Sequence, residues 1–212
     1  MLSSLKKSLI ILLFLPLLAC ADEGAVYEEG EHYKTLPKLV ATDDKGKVEV
    51  VELFWYGCPH CYSLEPSVEK WVSTLPQHVD FKQMPAMMAS HWEANGRAYY
   101  AAEILGVAKQ THQKLFDAIH RQGQKIFDQE SLADFYASQG VDKVEFNKAF
   151  NSFLVSSRVQ RAKQRQRGYQ ATGVPAIVVN GKYLVSTTMK AGSNGLFDVV
   201  DFLIEQEHKT LN

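Results

Sequence analysis

Cys58 and Cys61 are separated by Pro59 and His60, and the only other cysteine is Cys20 near the start of the chain. A thiolate attacks a disulfide and a thiol does not, so a working Cys-x-x-Cys pair needs local positive potential at one sulfur. The spacing also allows two other readings. Half of a zinc site is one, but zinc takes four ligands. No second Cys-x-x-Cys or closely spaced histidine pair exists, and His112 and His120, eight residues apart, are not obvious partners. An inert structural pair is the other. A redox pair is the preferred reading, because a structural framework needs more cysteines than these.

Cys58 needs a strand to deliver it and a helix to stabilise it. Val48 to Tyr56 is a β-branched and aromatic run ended by Gly57, which reads as a buried strand. From Pro59 to Leu75, Leu64, Val68, Trp71 and Val72 recur at helical spacing, and Pro59 suits a first helical position. Cys58 thus falls at a helix N-terminus, where unpaired N–H groups and the macrodipole favour an anion, and His60 adds a donor or partial charge. Holding the reduced form as a thiolate makes the disulfide easier to reduce, so an oxidant is expected. Cys61, one turn further in, is expected to be the more buried thiol. Pro66 predicts a kink, with Glu65 and Glu69 on the wetter side and the helix resuming to about Thr74.

Val79 to Met84 reads as a second strand closed by Pro85. His91 to Arg167 is helical in pattern, divided at Gly106, Gly123 and Gly140 into four or five segments. Ala176–Asn180, Gly181 and Lys182–Ser186 form a β-hairpin with an Asn-Gly turn. An amphipathic helix follows from about Gly195 to Glu207. The order predicts an α/β fold in which one small sheet carries an inserted helical subdomain, with the sheet domain at 22–87 and 167–212 and the insertion at 88–166.

The 212 residues are 46% hydrophobic and 22% charged, enough to bury a core without metals or structural disulfides. A net charge of -1 disfavours nucleic acid as a partner. Lys6 and Lys7 precede an apolar run from Leu9 to Leu18 that is interrupted by Pro16 and too short to span a bilayer. Small residues follow at Ala19, Cys20 and Ala21. Residues 1–21 therefore read as a secretory signal peptide. Leu17-Leu18-Ala19-Cys20 also resembles a bacterial lipobox, in which case the leader is 1–19 and a lipidated Cys20 anchors the protein. Export to an oxidising compartment, the periplasm, suits a working redox pair.

Phe54-Trp-Tyr-Gly-Cys58-Pro-His-Cys61 resembles the active-site strand and helix of the thioredoxin superfamily, and Pro-His between the cysteines resembles its DsbA family. The resemblance runs from Tyr33 through Gly173-Val174-Pro175 to the last helix, and implies a thioredoxin fold carrying a helical insertion. It implies an acidic Cys58 and an oxidising disulfide, donated to newly exported, cysteine-containing proteins through a mixed disulfide. It makes Val174-Pro175 a cis-proline loop beside the cysteines that pairs with extended substrate. Glu52, six residues before Cys58, matches a buried acid that assists proton transfer at Cys61. Reoxidation by a DsbB-like, quinone-linked membrane oxidase is implied too.

No bound cofactor, no metal and a monomeric state are expected, since the two sulfurs carry the electrons. A disulfide isomerase or reductase is the alternative within enzymes, although Asp22 to Lys47 is too short for an added dimerisation domain. A non-redox, chaperone-like binding module is the alternative outside them. Met84, Met87 and Met88 fit either an adaptable groove or core filling. Arg158, Arg161, Lys163, Arg165 and Arg167 read as a solvated face.

Overall fold

The computed structural model describes residues 27–193 and 195–211. The leader, its cleavage point and Cys20 lie outside the described residues. Five strands form one sheet in the order β1-β5-β4-β2-β3. The central strand β2 (Val48–Phe54) is buried at every position. It runs parallel to β3 (Val79–Pro85) and antiparallel to β4 (Ala176–Val179). β4 continues through the Asn180-Gly181 turn into β5 (Tyr183–Ser186), and a two-residue strand, β1 (Lys34–Thr35), closes that edge.

Both faces of β2 are covered because its valines alternate between two cores. Val48 and Val50, with Ile177 and Val179 of β4, pack against α1 (Pro59–Val72) through Leu64 and Val68 and against α7 (Leu196–Leu211) through Val199 and Leu203. Val51 and Leu53 face the opposite way, into a larger core shared with five helices between β3 and β4. These are α2 (Glu93–Ile104), α3 (Ala108–His120), α4 (Gln129–Ser138), α5 (Lys143–Phe150) and α6 (Phe153–Tyr169), preceded by a short 3-10 turn at Ser90–Trp92.

Several boundaries differ from the sequence-based expectation for local reasons. β2 stops at Phe54 because the Cys58 N–H bonds back to the Trp55 carbonyl, turning the chain before the helix. α1 ends at Val72, where the Thr74 hydroxyl and N–H both bond the Trp71 carbonyl. The hairpin turn takes Asn180 and Gly181 out of the strands at φ of 51° and 59°. Both lie in the left-handed region that asparagine and glycine tolerate, in a three-residue connection between Val179 and Tyr183, and a Cβ at Gly181 would meet the Val40 carbonyl oxygen at 1.9 Å. The break between α5 and α6 has no glycine. Ser152 makes it by capping the Val155 N–H.

The basic face of α6 is not simply solvated. Arg158 pairs with Glu103 at 3.0 Å and Lys163 with Glu93 at 2.6 Å. Arg165 is largely buried and reaches Glu49 of β2. Met84 and Met87 are core residues, and Met87 fills the space beside Gly96.

Candidate active site

Cys58 occupies the N-cap of α1, with extended backbone and Pro59 following inside the first turn. Its sulfur accepts the Cys61 N–H at 3.4 Å. Gly57 is fixed by packing as well as by the turn, since a Cβ there would lie 2.3 Å from the Trp55 ring. Trp55 in turn is held by Asn95 at 3.2 Å and stacks on Trp92 at 4.2 Å. From the other end of the chain, the loop before β4 brings the Val174 carbonyl to 3.5 Å from the Cys58 sulfur, and the Val174–Pro175 peptide is cis.

Both cysteines carry free thiols, and Cys61, 1% exposed, is the deeper of the two against 7% for Cys58. Their acidities separate. The Cys61 thiol donates to Cys58, the backbone N–H groups of Cys61 and His60 point at it, and the charge of exposed His60 adds to them. Together these outweigh burial and lower Cys58 to about 6. Cys61 is pushed far upward, first by burial, then by its contact with Cys58 and by the charge of Glu52. One sulfur is thereby suited to carry charge at neutral pH and the other to carry a proton.

Glu52 is fully buried on β2, and its carboxyl is raised to about 8 by burial first and by the charge of Glu65 second, with the Gln83 amide opposing. Gln83, its neighbour across the β2–β3 pair, donates to Glu52 Oε2 at 3.0 Å. Glu52 Oε1 has no hydrogen-bond partner among the described residues.

Glu65 corrects a sequence-based expectation: placed with Glu69 on the wet side of α1, it is 7% exposed, one turn beyond Cys61 on the buried face. It stands 3.2 Å from Gln83 and 3.3 Å from His112 of α3. His112 and His120 also escaped sequence reasoning. His112 meets the Tyr56 hydroxyl at 2.8 Å, while His120 meets the Tyr56 carbonyl at 2.8 Å and stacks on Tyr62 of α1. Their spacing of two helical turns places both on one face of α3, and that was the available signal. Among the described residues, no group of three or more His, Cys, Asp or Glu is arranged to hold a metal ion. Nor is any helix among them long and apolar enough to cross a membrane.

Comparison with known proteins points one way. A family model described as DSBA-like thioredoxin domain matches residues 79–203. The chain is 44% identical over 178 residues to the thiol:disulfide interchange protein DsbA of Azotobacter vinelandii, covering 84% of this chain and 83% of that one. It is 40% identical over 191 residues to the protein of the same name from Pseudomonas aeruginosa, covering 90% of each. The crystal structure of Pseudomonas aeruginosa DsbA matches with a TM-score of 0.83 at 40% identity, over 87% of this chain and 96% of that one. The oxidoreductase DsbA from Xylella fastidiosa matches with a TM-score of 0.82 at 34% identity, over 87% and 100%.

Proposed function

The chain belongs to the family of DSBA-like thioredoxin domains and is a disulfide-donating protein thiol:disulfide oxidoreductase, and from that premise we propose that Cys58 is its nucleophile-accepting sulfur and Cys61 its leaving group. In the oxidised protein a substrate thiolate attacks the Cys58 sulfur. The Cys58–Cys61 bond breaks, a substrate–Cys58 disulfide forms, and Cys61 leaves with the electron pair and takes up a proton. A second substrate thiolate then attacks the substrate sulfur of that mixed disulfide, releasing an oxidised substrate and the Cys58 thiolate. The pair itself carries the two electrons, so no separate cofactor is required in this reading.

The single observation that carries it is the split between the two thiols at one helix N-terminus: Cys58 lowered to about 6, Cys61 raised. A stabilised Cys58 thiolate favours the reduced state, and hence disulfide donation. Pro59 starts the helix that aims N–H groups at Cys58, and His60 contributes its backbone N–H and charge. Glu52 serves as the proton acceptor and donor for Cys61. Val174 and Pro175 receive the substrate backbone, a role supported by the nearness of the Val174 carbonyl to Cys58. The division into a thioredoxin-fold domain (22–87 and 167–212) and an insertion (88–166) belongs to the same reading. It is supported by strands of one sheet lying on either side of the five helices.

Its substrates are then cysteine-containing exported proteins, its place the periplasm, and its reoxidant a DsbB-like membrane oxidase, with the chain acting as a monomer. Equilibration of the purified pair against glutathione buffers tests the direction. A strongly oxidising potential is expected, and a thioredoxin-like one would move the assignment to a reductase or isomerase. Cys61→Ala is expected to accumulate mixed disulfides at Cys58 that mass spectrometry can identify.

A further inference from the structure

The turn that carries Cys58 has two accessible forms, and one residue of the helical block bears on the choice between them. The Cys58 N–H bonds the Trp55 carbonyl at 2.9 Å, which closes a β-turn with Tyr56 and Gly57 at its two central positions. The peptide unit between those two can turn over while the closing bond stays, and the flipped turn needs a positive φ at its second central residue. Glycine meets that demand at no steric cost. Gly57 is required for another reason, the 2.3 Å approach of a Cβ to the Trp55 ring. The residue that lets Trp55 pack therefore also leaves the turn free to flip. In the structure the φ of Gly57 is not positive, so the turn stands in its unflipped form.

The Tyr56 carbonyl marks which way that peptide faces. It belongs to a residue only 1% exposed, and its one hydrogen-bond partner among the described residues is His120 Nε2, 2.8 Å away at the end of α3. A carbonyl only accepts, so Nε2 carries the hydrogen, as it does in the imidazolium and in one of the two neutral tautomers. The ring is fixed on its flat side by Tyr62 of α1, stacked at 5.0 Å and 14°. Tyr62 in turn donates to Asp117 of α3 at 3.0 Å, and Asp117 also accepts from the Gln113 amide at 3.1 Å. A flip would exchange the Tyr56 carbonyl for the Gly57 N–H on the side facing α3, setting donor against donor and leaving a buried carbonyl without its partner.

We propose that His120 latches the Tyr56–Gly57 peptide in one orientation and thereby holds Cys58 where the N–H groups of His60 and Cys61 reach its sulfur. The inference rests on the reading of Cys58 as the reacting sulfur of the redox pair. His120 acts through Tyr56 and is a positioning residue. With its donor gone, the turn samples both forms, and the sulfur keeps those N–H groups for only part of the time. The thiolate then loses support, and the disulfide becomes less oxidising.

The test compares His120→Phe, which keeps a ring against Tyr62 but has no donor, with His120→Gln, whose amide N–H reaches the place of Nε2. In His120→Phe, thiolate absorbance is expected to place Cys58 about one pH unit higher, and the glutathione equilibrium at pH 7 to move about fivefold toward a less oxidising pair. Amide hydrogen exchange over residues 55–60, read by mass spectrometry, is expected to quicken. His120→Gln returns all of these readings to wild-type values. An unmoved titration and equilibrium in His120→Phe would overturn the latch, whatever the urea midpoint does. So would an equal shift in His120→Gln, which would trace the effect to the imidazole ring and not to the hydrogen bond. Should His120→Phe not fold, His120→Ala with and without added imidazole makes the same comparison, and a shift that imidazole leaves in place counts against the latch. If the wild-type pair fails to exchange with glutathione, the redox reading falls instead, and amide exchange still decides whether His120 holds the turn.

Discussion

Glu49 and Glu52 stand three residues apart on β2, both with no exposed surface, and the fold treats them in opposite ways. Glu49 is met by Lys82 at 2.8 Å and by the guanidinium of Arg165, which α6 carries in from the insertion. Glu52 is met by one amide and feels the charge of a second carboxyl, that of Glu65, and no cation among the described residues pairs with it. A buried acid with its counter-charges in place acts as an ionic tie between sheet and helix. A buried acid denied them is held protonated near neutral pH. The cysteines repeat the contrast above them, one sulfur supported in its charged form and the other denied that support.

The sharpest way to break the comparison is to take the cation from Glu49. Arg165→Met leaves Glu49 with Lys82 and the Asp43 backbone N–H, and stability at pH 7 is expected to fall by roughly 3 kcal/mol or more, read from the urea midpoint. Glu52→Gln should act in the opposite direction. Its carboxyl is raised from 4.5 to about 8, so its neutral form stabilises fully below 4.5 and that contribution is lost as the pH rises through 8. The variant is therefore expected to match wild type at pH 4, to gain up to about 3 kcal/mol by pH 7, and to level off above pH 8. Equal gains at pH 4 and 7 would mean that Glu52 is not held neutral.

Cys58 runs with the other sign, being lowered from 9.0 to about 6 in the dithiol. Its stabilisation of the reduced protein is full above pH 9 and lost as the pH falls through 6. At pH 7 it amounts to about 1.4 kcal/mol, equivalent to about 30 mV of extra oxidising power. Urea unfolding of reduced and oxidised protein should show a difference growing in favour of the reduced form from pH 6 to 9. His60→Ala is the smallest change. The backbone N–H survives and only the side-chain charge, the last of the named influences, is lost. Thiolate absorbance should place Cys58 less than about one pH unit higher, under 1.4 kcal/mol.

What the sequence makes legible is what lies close in the chain. The strand before Cys58, the helix after it, the Asn180-Gly181 hairpin and the helical block all follow from local pattern, and the cysteine spacing names the chemistry. The polar cluster beneath the site is assembled from β2, β3, α1 and α3, and no local rule joins Glu65 to His112. Glu65 looked solvated because it is charged and neighbours Pro66. Its position one turn after Cys61 was the better guide. Arg165 looked like part of a wet face because its partner Glu49 lies 116 residues earlier. β1 is two residues long and exists only because β5 offers it an edge.

The same separation governs how the site is built. The Cys58 sulfur meets the carbonyl of Val174, 116 residues later in the chain, with six α-helices between. During synthesis, which runs from the N-terminus, both thiols emerge well before the segment that flanks them. Contacts this remote carry a high loop-closure cost and are expected to form late. The newly made protein is thus expected to pass through a stage in which both thiols are present before the Val174–Pro175 segment reaches them.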